Sequence, residues 1–230
     1  MVRRGIDLTR GPLGRQMVHL TIPMAGGMFA MAAFNITDTY FVSRLGTVPL
    51  AAMSFTFPVV MVIGAVAMAI GIGATSVISR SIGRGEEAQV TRVTTHTLVL
   101  AVLVVGLFSI AGIVTIDPLF RALGADESTL PLVRDYMRIW YSFVAVLIIP
   151  MVGNFAIRAT GDTKTPALIM IAVFGVNIVL DPIFIFGLFG IPAMGLKGAA
   201  IATVIARAIS LLASLSVLHF RYHMLDLHPG

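Results

Sequence analysis

The chain has 230 residues, of which 57% are hydrophobic and only 12% charged, and its mean hydropathy is +0.96. Soluble globular domains have about 45–50% apolar and about 25% charged residues, so this composition excludes an ordinary soluble enzyme and a disordered chain. The sequence contains no cysteine, which excludes a disulfide scaffold and thiolate metal sites. Lysine and arginine outnumber the acids by 16 to 11 but are scattered over short loops. We therefore interpret them as topology signals and expect no nucleic-acid partner.

Long apolar segments indicate an all-α polytopic membrane protein, with the lipid bilayer as its surroundings. Because a helix needs about 20 predominantly apolar residues to cross a bilayer, we predict six transmembrane helices, at 17–42, 51–79, 95–116, 131–157, 166–189 and 195–220. The connections between them are short and rich in turn residues, so none holds a soluble domain. We expect a six-helix lobe at 17–220, with terminal segments at 1–16 and 221–230.

Basic residues are distributed unevenly between the two ends of the predicted helices. Ten lie at the end that holds both termini: Arg3, Arg4, Arg10, Arg15, Arg80, Arg84, Arg92, Arg158, Lys164 and Arg221. The other end has Arg44, Arg121 and Lys197, joined by Arg134 and Arg138 if the fourth helix is included. Because basic residues favour the cytoplasmic side, we expect a multi-pass protein of the inner or plasma membrane with both termini in the cytoplasm.

Two acids lie inside otherwise apolar segments, Asp38 in the first and Asp181 in the fifth. An acid in the middle of a membrane costs about 2.5–3.5 kcal/mol on insertion scales, so it is expected to face a partner or a cavity. Asn177 precedes Asp181 by four residues and shares its face. Pro182 follows and removes a backbone donor, which frees the carbonyl near Ile178. These oxygens suit a hard cation or a hydrogen-bond network switched by a proton.

Further polar residues accompany these acids. Asn35 precedes Asp38 by three residues, which predicts a shared face, and Asn154 adds an amide to the fourth helix. The alternative interpretation is that these groups only satisfy one another and fix helix packing. Arg207 in the sixth helix either pairs with an acid, contacts substrate or extends toward the cytoplasmic surface, and we favour the last.

Six motifs occur in order along the chain at spacings compatible with helices. They are NITDTYFVSRLG at 35–46, GIGATS at 71–76, SRSIGRG at 79–85, RATGDTKTP at 158–166, NIVLDP at 177–182 and GAAIAT at 198–203. Together they resemble the multidrug and toxic compound extrusion (MATE) family of the MOP superfamily. Within it, the sequence is similar to the prokaryotic branch of the DNA-damage-inducible type. The resemblance covers nearly the whole chain.

The resemblance implies a secondary active transporter rather than an enzyme, with no cofactor. It implies alternating-access antiport, in which a coupling H⁺ or Na⁺ exchanges for a small cationic or amphipathic drug or toxic compound. The residues implied for coupling-cation binding are Asp38, Asn154, Asn177, Asp181 and Thr203, of which Asp38, Asn177 and Asp181 would be the metal ligands for Na⁺. The candidates for the substrate cavity are Met31, Asn35, Tyr40 and Arg207.

Family members have two six-helix lobes, whereas this chain corresponds to the N-terminal one. A missing C-terminal half, a homodimer mate or a separate half-transporter would supply the second lobe. A flippase-like exporter of lipid-linked or polymeric substrates from the same superfamily remains the alternative function. Such an exporter would have a more basic cavity, for which Arg207 is the sole candidate. A channel would need a continuous polar stripe, and an intramembrane enzyme would need more catalytic groups than the two acids.

Overall fold

The structure, a computed structural model, describes residues 12–225, which form only helices and their connections. The helices in chain order are α1 (Leu13–Ser43), α2 (Thr47–Arg84), α3 (Glu87–Ala122), α4 (Leu130–Ser142), α5 (Val144–Ala159), α6 (Lys164–Phe186) and α7 (Leu196–Ser216), followed by a π-helical turn (Val217–Arg221). The predicted segments 1–16 and 221–230 fall partly outside the described residues.

Six membrane spans account for these helices. Within the described residues, five helices are long and apolar enough to cross a bilayer, and α4 with α5 forms a sixth span that is bent by 52°. The six-span prediction is therefore confirmed. The prediction of one continuous helix at 131–157 is wrong, because Phe143 between α4 and α5 leaves helical geometry with φ −112° and ψ 15°.

Contacts from α3 explain why the fourth span bends at Phe143. The Ser109 hydroxyl donates a hydrogen bond of 2.8 Å to the carbonyl oxygen of Tyr141, inserting a side chain into the helical ladder beside the break. Gly112, one turn further along α3, lies directly against the Tyr141 ring. Pro150 lies well inside α5 and does not coincide with the bend.

α4 is the more amphipathic of the two helices in the bent span. Its charged residues Arg134 and Asp135 form ion pairs with neighbouring helices. Arg134 donates two hydrogen bonds to the Asp117 carboxylate of α3, at 2.9 and 2.6 Å. Asp135 forms an ion pair of 3.1 Å with Lys197 of α7. These pairs allow charges within a membrane span, and they orient the opposite, buried face of α4 toward the interior of the lobe.

α1 is attached to the lobe along one narrow stripe. It packs mainly against α6, which in turn packs against α7, whereas α2, α3 and α5 form the other side of the bundle. The buried residues of α1 recur every three or four positions: Gly27, Ala30, Phe34, Asp38 and Val42. Most of the remaining surface of α1 is exposed within this lobe.

The chain after α7 folds back into the lobe. Leu218, Tyr222 and Met224 are all buried in an apolar cluster with residues of α2, α3 and α5. The Tyr222 hydroxyl donates a hydrogen bond of 2.7 Å to Asp162 in the α5–α6 connection. Part of the segment predicted at 221–230 therefore belongs to the packed lobe. We call the end of the lobe at Tyr222 and Asp162 the basic end.

Asp162 connects this returning segment to the start of α6. Its carboxylate accepts a hydrogen bond of 3.0 Å from the Thr165 backbone N–H and lies 3.7 Å from Arg221. Burial alone would raise the pKa of Asp162, but the hydrogen bonds from Thr165 and Tyr222 and the charge of Arg221 outweigh it and lower the pKa. The charged carboxylate is therefore stabilised by folding.

We predict that Gly112→Ala destabilises the protein by about 1–3 kcal/mol, because overpacking a buried contact forces strain. An added Cβ would overlap the ring of Tyr141, which is buried. The control is Gly106→Ala on the same helix, where nothing lies within 4 Å of the added Cβ. Thermal unfolding of the two purified variants measures the difference, and equal melting temperatures would contradict the close contact.

We predict that Tyr222→Phe lowers the free energy of unfolding by about 0.5–1.5 kcal/mol, the contribution of one hydrogen bond. Tyr40→Phe, at an exposed tyrosine, is the control and should have no effect.

The contribution of Asp162 to stability depends on pH. Because folding lowers the pKa of Asp162 below its ordinary value of 3.8, the stabilisation of the folded protein by the Asp162 carboxylate is present above that pH and is lost as the pH falls further. Melting curves of wild type and Tyr222→Phe should therefore converge in acid, and a constant difference would contradict the role of Asp162.

Candidate functional site

The register between α1 and α6 brings Asp38 level with Asn177 and Asp181. A Cβ added at Gly27 would lie 3.2 Å from the Cα of Ala167, and the Phe41 and Phe186 rings lie 6.3 Å apart, so the two helices run parallel. Asp38 follows Gly27 by 11 residues (38 − 27), or about 16 Å at 1.5 Å per residue. Asn177 and Asp181 follow Ala167 by 10 and 14 residues (177 − 167 and 181 − 167), or about 15 and 21 Å.

Asn177 and Asp181 are fully buried and contact each other directly. The Asn177 side-chain amide donates a hydrogen bond of 3.0 Å to Oδ1 of Asp181, one helical turn away. This confirms the shared face predicted from their spacing. Asp38 is also buried, and its carboxylate lies within electrostatic reach of Asp181.

α7 places Thr203 at the same level. The start of α7 lies against the end of α6, since a Cβ at Gly198 would overlap the Phe184 carbonyl oxygen. The helices are antiparallel, so Thr203, five residues after Gly198 (203 − 198), lies opposite residue 179 (184 − 5), between Asn177 and Asp181. α1, α6 and α7 thus supply two carboxylates, an amide and a hydroxyl at one depth.

All five residues implied for cation binding have a buried side-chain oxygen without a hydrogen-bond partner among the described residues. These atoms are Asp38 Oδ1, Asn154 Oδ1, Asn177 Oδ1, Asp181 Oδ2 and Thr203 Oγ1. A buried polar atom left without a partner costs about 1–3 kcal/mol, so these oxygens are suited to hold a proton or a cation. Glu86, Arg158 and His219 also carry such atoms.

Asn154 lies apart from the two acids. Its neighbour Gly153 packs against Ser214, because a Cβ there would lie 3.5 Å from the Ser214 hydroxyl oxygen. Ser214 is 11 residues from Thr203 along α7 (214 − 203), or about 16 Å. The structure therefore places Asn154 nearer the basic end than the group around Asp38 and Asp181.

Tyr136 of α4 is a site residue that the sequence reasoning missed. It is buried, and its hydroxyl lies within electrostatic reach of both Asp38 and Asp181. A pattern in the sequence could have indicated it, because Val133, Tyr136, Met137 and Trp140 recur at helical spacing opposite the charges of α4. A tyrosine on a buried face usually finds a polar partner for its hydroxyl.

Three of the four residues proposed for the substrate cavity lie on the exposed surface of α1. Met31 is 40% exposed, Tyr40 is 54% exposed and Asn35 is also exposed. The expectation that Asn35 shares a face with Asp38 is therefore wrong. The two positions differ by about 60° around a helix, and the buried stripe of α1 is too narrow to include both.

Arg207 lies in the middle of its membrane span. It is 11 residues from the start of α7 at Leu196 and 14 from the end of the π-helical turn at Arg221 (207 − 196 and 221 − 207), or about 16 and 21 Å. The surface is farther than an arginine side chain reaches, so the expectation that Arg207 extends to it is wrong. The guanidinium carbon instead lies 5.1 Å from the centre of the Phe34 ring.

The donor set indicates which ions fit. Residues 12–225 contain no group of three or more His, Cys, Asp or Glu side chains that could hold a metal ion. The group formed by Asp38, Asn177, Asp181 and Thr203 offers oxygen ligands only, which suit hard cations better than transition metals. These residues fit a proton or Na⁺.

The family model and the relatives that match this chain are all of one transporter type. Residues 23–183 match the MatE domain family. A protein of Shewanella oneidensis named FAD transporter is 39% identical over 95% of this chain and 48% of its own. A probable multidrug resistance protein of Bacillus subtilis is 32% identical over 98% of this chain and 46% of its own.

Solved structures agree with this fold. An outward-facing MATE multidrug resistance transporter superposes with a TM-score of 0.89 at 33% identity, covering all of this chain and 51% of that one. A MOP superfamily transporter from Pyrococcus furiosus, described as having a binding pocket of reverse polarity, gives the same values.

The chain spans about half the length of the relatives it matches, as expected for one lobe. MatE proteins are membrane transporters and not enzymes. The chain belongs to the MatE family of multidrug and toxic compound extrusion transporters.

Proposed function

We propose that this chain is the N-terminal lobe of an antiporter of the inner membrane that couples H⁺ or Na⁺ entry to export of amphipathic or cationic compounds. The observation that supports the proposal is the meeting of Asp38 and Asp181 at one depth, each with an unpartnered buried oxygen. The drug-exporting relatives support the substrate class.

The attachment of α1 suggests how ion binding drives alternating access. Asp38 is one of only a few buried residues in the stripe that holds α1 to α6. Neutralising a carboxylate in a low-dielectric interior changes its interaction energies by several kcal/mol, which is enough to shift an equilibrium between two packings of α1. A cavity that holds its coupling cation also attracts a cationic substrate less strongly.

Transport requires a second lobe, because a substrate path between lobes has two sides. We propose that a C-terminal half, a second copy of this chain or a separate half-transporter supplies it. Native mass spectrometry of the 230-residue chain in nanodiscs distinguishes a stable dimer from a single lobe.

Export of a flavin dinucleotide is a second candidate function. The 39% identical relative is named FAD transporter, and FAD is an anionic rather than a cationic amphipathic molecule. Both functions use the same acids for coupling and differ in the charge of the exported compound.

We predict that Asp38→Asn and Asp181→Asn each reduce cation-driven export at least about tenfold, because a fixed neutral amide cannot alternate between charged and neutralised states. The assay is ethidium or FAD transport by the complete transporter in proteoliposomes under a proton or sodium gradient. The control is Asp135→Asn, which removes a carboxylate paired with Lys197 outside the site. Unchanged coupled transport in both site variants would refute the proposal.

We predict that the coupling ion stabilises the wild-type protein and not the Asp38→Asn variant. A ligand at about 100 times its Kd adds about 2.7 kcal/mol to the free energy of unfolding. A rise in melting temperature with NaCl but not with choline chloride identifies Na⁺. A carboxyl infrared band that titrates in wild type and is lost in Asp38→Asn identifies H⁺. If neither is observed, ion binding at Asp38 is contradicted.

A further inference from the structure

Arg207 places a permanent positive charge near the centre of the membrane. On insertion scales an arginine there costs about 2.5–3.5 kcal/mol, so the side chain is expected to have a partner. The Arg207 side chain makes no ion pair or hydrogen bond with any other residue in the range 12–225. Its observed contact is with the face of the Phe34 ring.

The Arg207 side chain packs against apolar residues on one side and is partly accessible on the other. Phe34 belongs to a buried cluster with Ile169, Val173 and Ala206, whereas Arg207 itself is half-buried. A guanidinium seated on an aromatic ring loses little entropy when it forms hydrogen bonds, because its planar fork is already oriented. Its N–H groups are therefore available to a ligand.

Arg207 also lies next to the ion site. Phe34 is one helical turn before Asp38 on α1, and Arg207 is one turn after Thr203 on α7. The charge is thus displaced by about 6 Å toward the basic end. A molecule bound at Arg207 is close enough to respond to a change in the charge of Asp38.

We propose that Arg207 binds a phosphate group of the exported molecule and selects phosphate-bearing amphipathic compounds over cationic ones. The proposal rests on the second candidate function above, export of an anionic flavin dinucleotide, with coupling at Asp38 and Asp181. Arginine binds phosphate through two parallel N–H···O hydrogen bonds, which are stronger than hydrogen bonds between neutral groups. A phosphate supplies both the counter-charge and the acceptors that Arg207 lacks within the lobe.

The phosphate belongs to a soluble substrate rather than to a lipid headgroup. Headgroups lie at the membrane surface, about 15 Å from the centre of the hydrocarbon core. Arg207 lies about 16 and 21 Å from the ends of its span. A substrate that crosses the membrane through the transporter passes this depth, whereas a headgroup at the surface does not.

The test measures binding of riboflavin, FMN and FAD to the complete transporter in a phosphate-free detergent, by flavin fluorescence anisotropy. These probes share one ring system and differ in their phosphates. We expect Arg207→Gln to weaken FAD and FMN binding at least about tenfold, as for lost charged hydrogen bonds, with riboflavin binding unchanged. Arg207→Lys should be intermediate, because an ammonium group retains the charge but cannot form the two parallel hydrogen bonds.

The matched control is Arg158→Gln. Arg158 also lies over an aromatic ring, 5.5 Å from the centre of Phe155, but at the basic end of α5. It should leave the affinities for all three flavins unchanged. Arg207→Gln is expected to fold, since it removes an unpaired charge from the membrane interior, and size-exclusion chromatography checks this. If it does not fold, Arg207→Lys alone decides the comparison.

The proposal is overturned if wild type binds riboflavin as tightly as FAD, or if Arg207→Gln weakens all three flavins equally. It is also overturned if phosphatidylglycerol, and not FAD, stabilises wild type in an Arg207-dependent manner, which would identify a lipid site. Gradient-driven ethidium export without phosphate selectivity would refute the role of Arg207 and leave the transport function standing. Arg207-dependent FAD binding without gradient-driven transport would support the role of Arg207 and refute the transport function.

Discussion

The close contact between α1 and α6 at Gly27 and Ala167 determines where the polar groups of this lobe meet. Two parallel helices in fixed register deliver the side chains that follow the contact to the same depth. Asp38 and Asp181, separated by most of the sequence, therefore lie together in an apolar interior. A shift of α1 by one turn along α6 would separate the two acids and leave each charge without its neighbour.

The contact between α1 and α6 also explains why the site is buried and yet able to affect the position of α1. α1 is held by a single stripe of buried side chains, and the carboxylate of Asp38 lies within that stripe. A change in charge at Asp38 thus acts on the packing of α1, which has the lowest share of buried residues among the five single-helix spans. In α4, by contrast, Arg134 and Asp135 are paired with neighbouring helices, so α4 presents Tyr136 to the acids from a fixed position.

The sequence predicts the features that depend on local pattern. Hydropathy identified six spans, and four-residue spacing identified the pair of Asn177 and Asp181. Features that depend on neighbouring helices could not be found in this way. The break at Phe143 requires Ser109, distant in sequence, and the separation of Asn35 from Asp38 follows from the narrow contact of α1. The depth of Arg207 became clear only when the ends of its span were known.

The break at Phe143 divides the fourth span into two half-spans of 13 and 16 residues that do not share an axis. A straight helix transmits a tilt along its whole length, whereas a joint in the middle absorbs it. α4, which carries Tyr136 beside the acids, is mechanically separated from α5, which carries Asn154 and packs against α7. A tilt of α5 is therefore not passed on to α4, and Tyr136 keeps its place beside the acids.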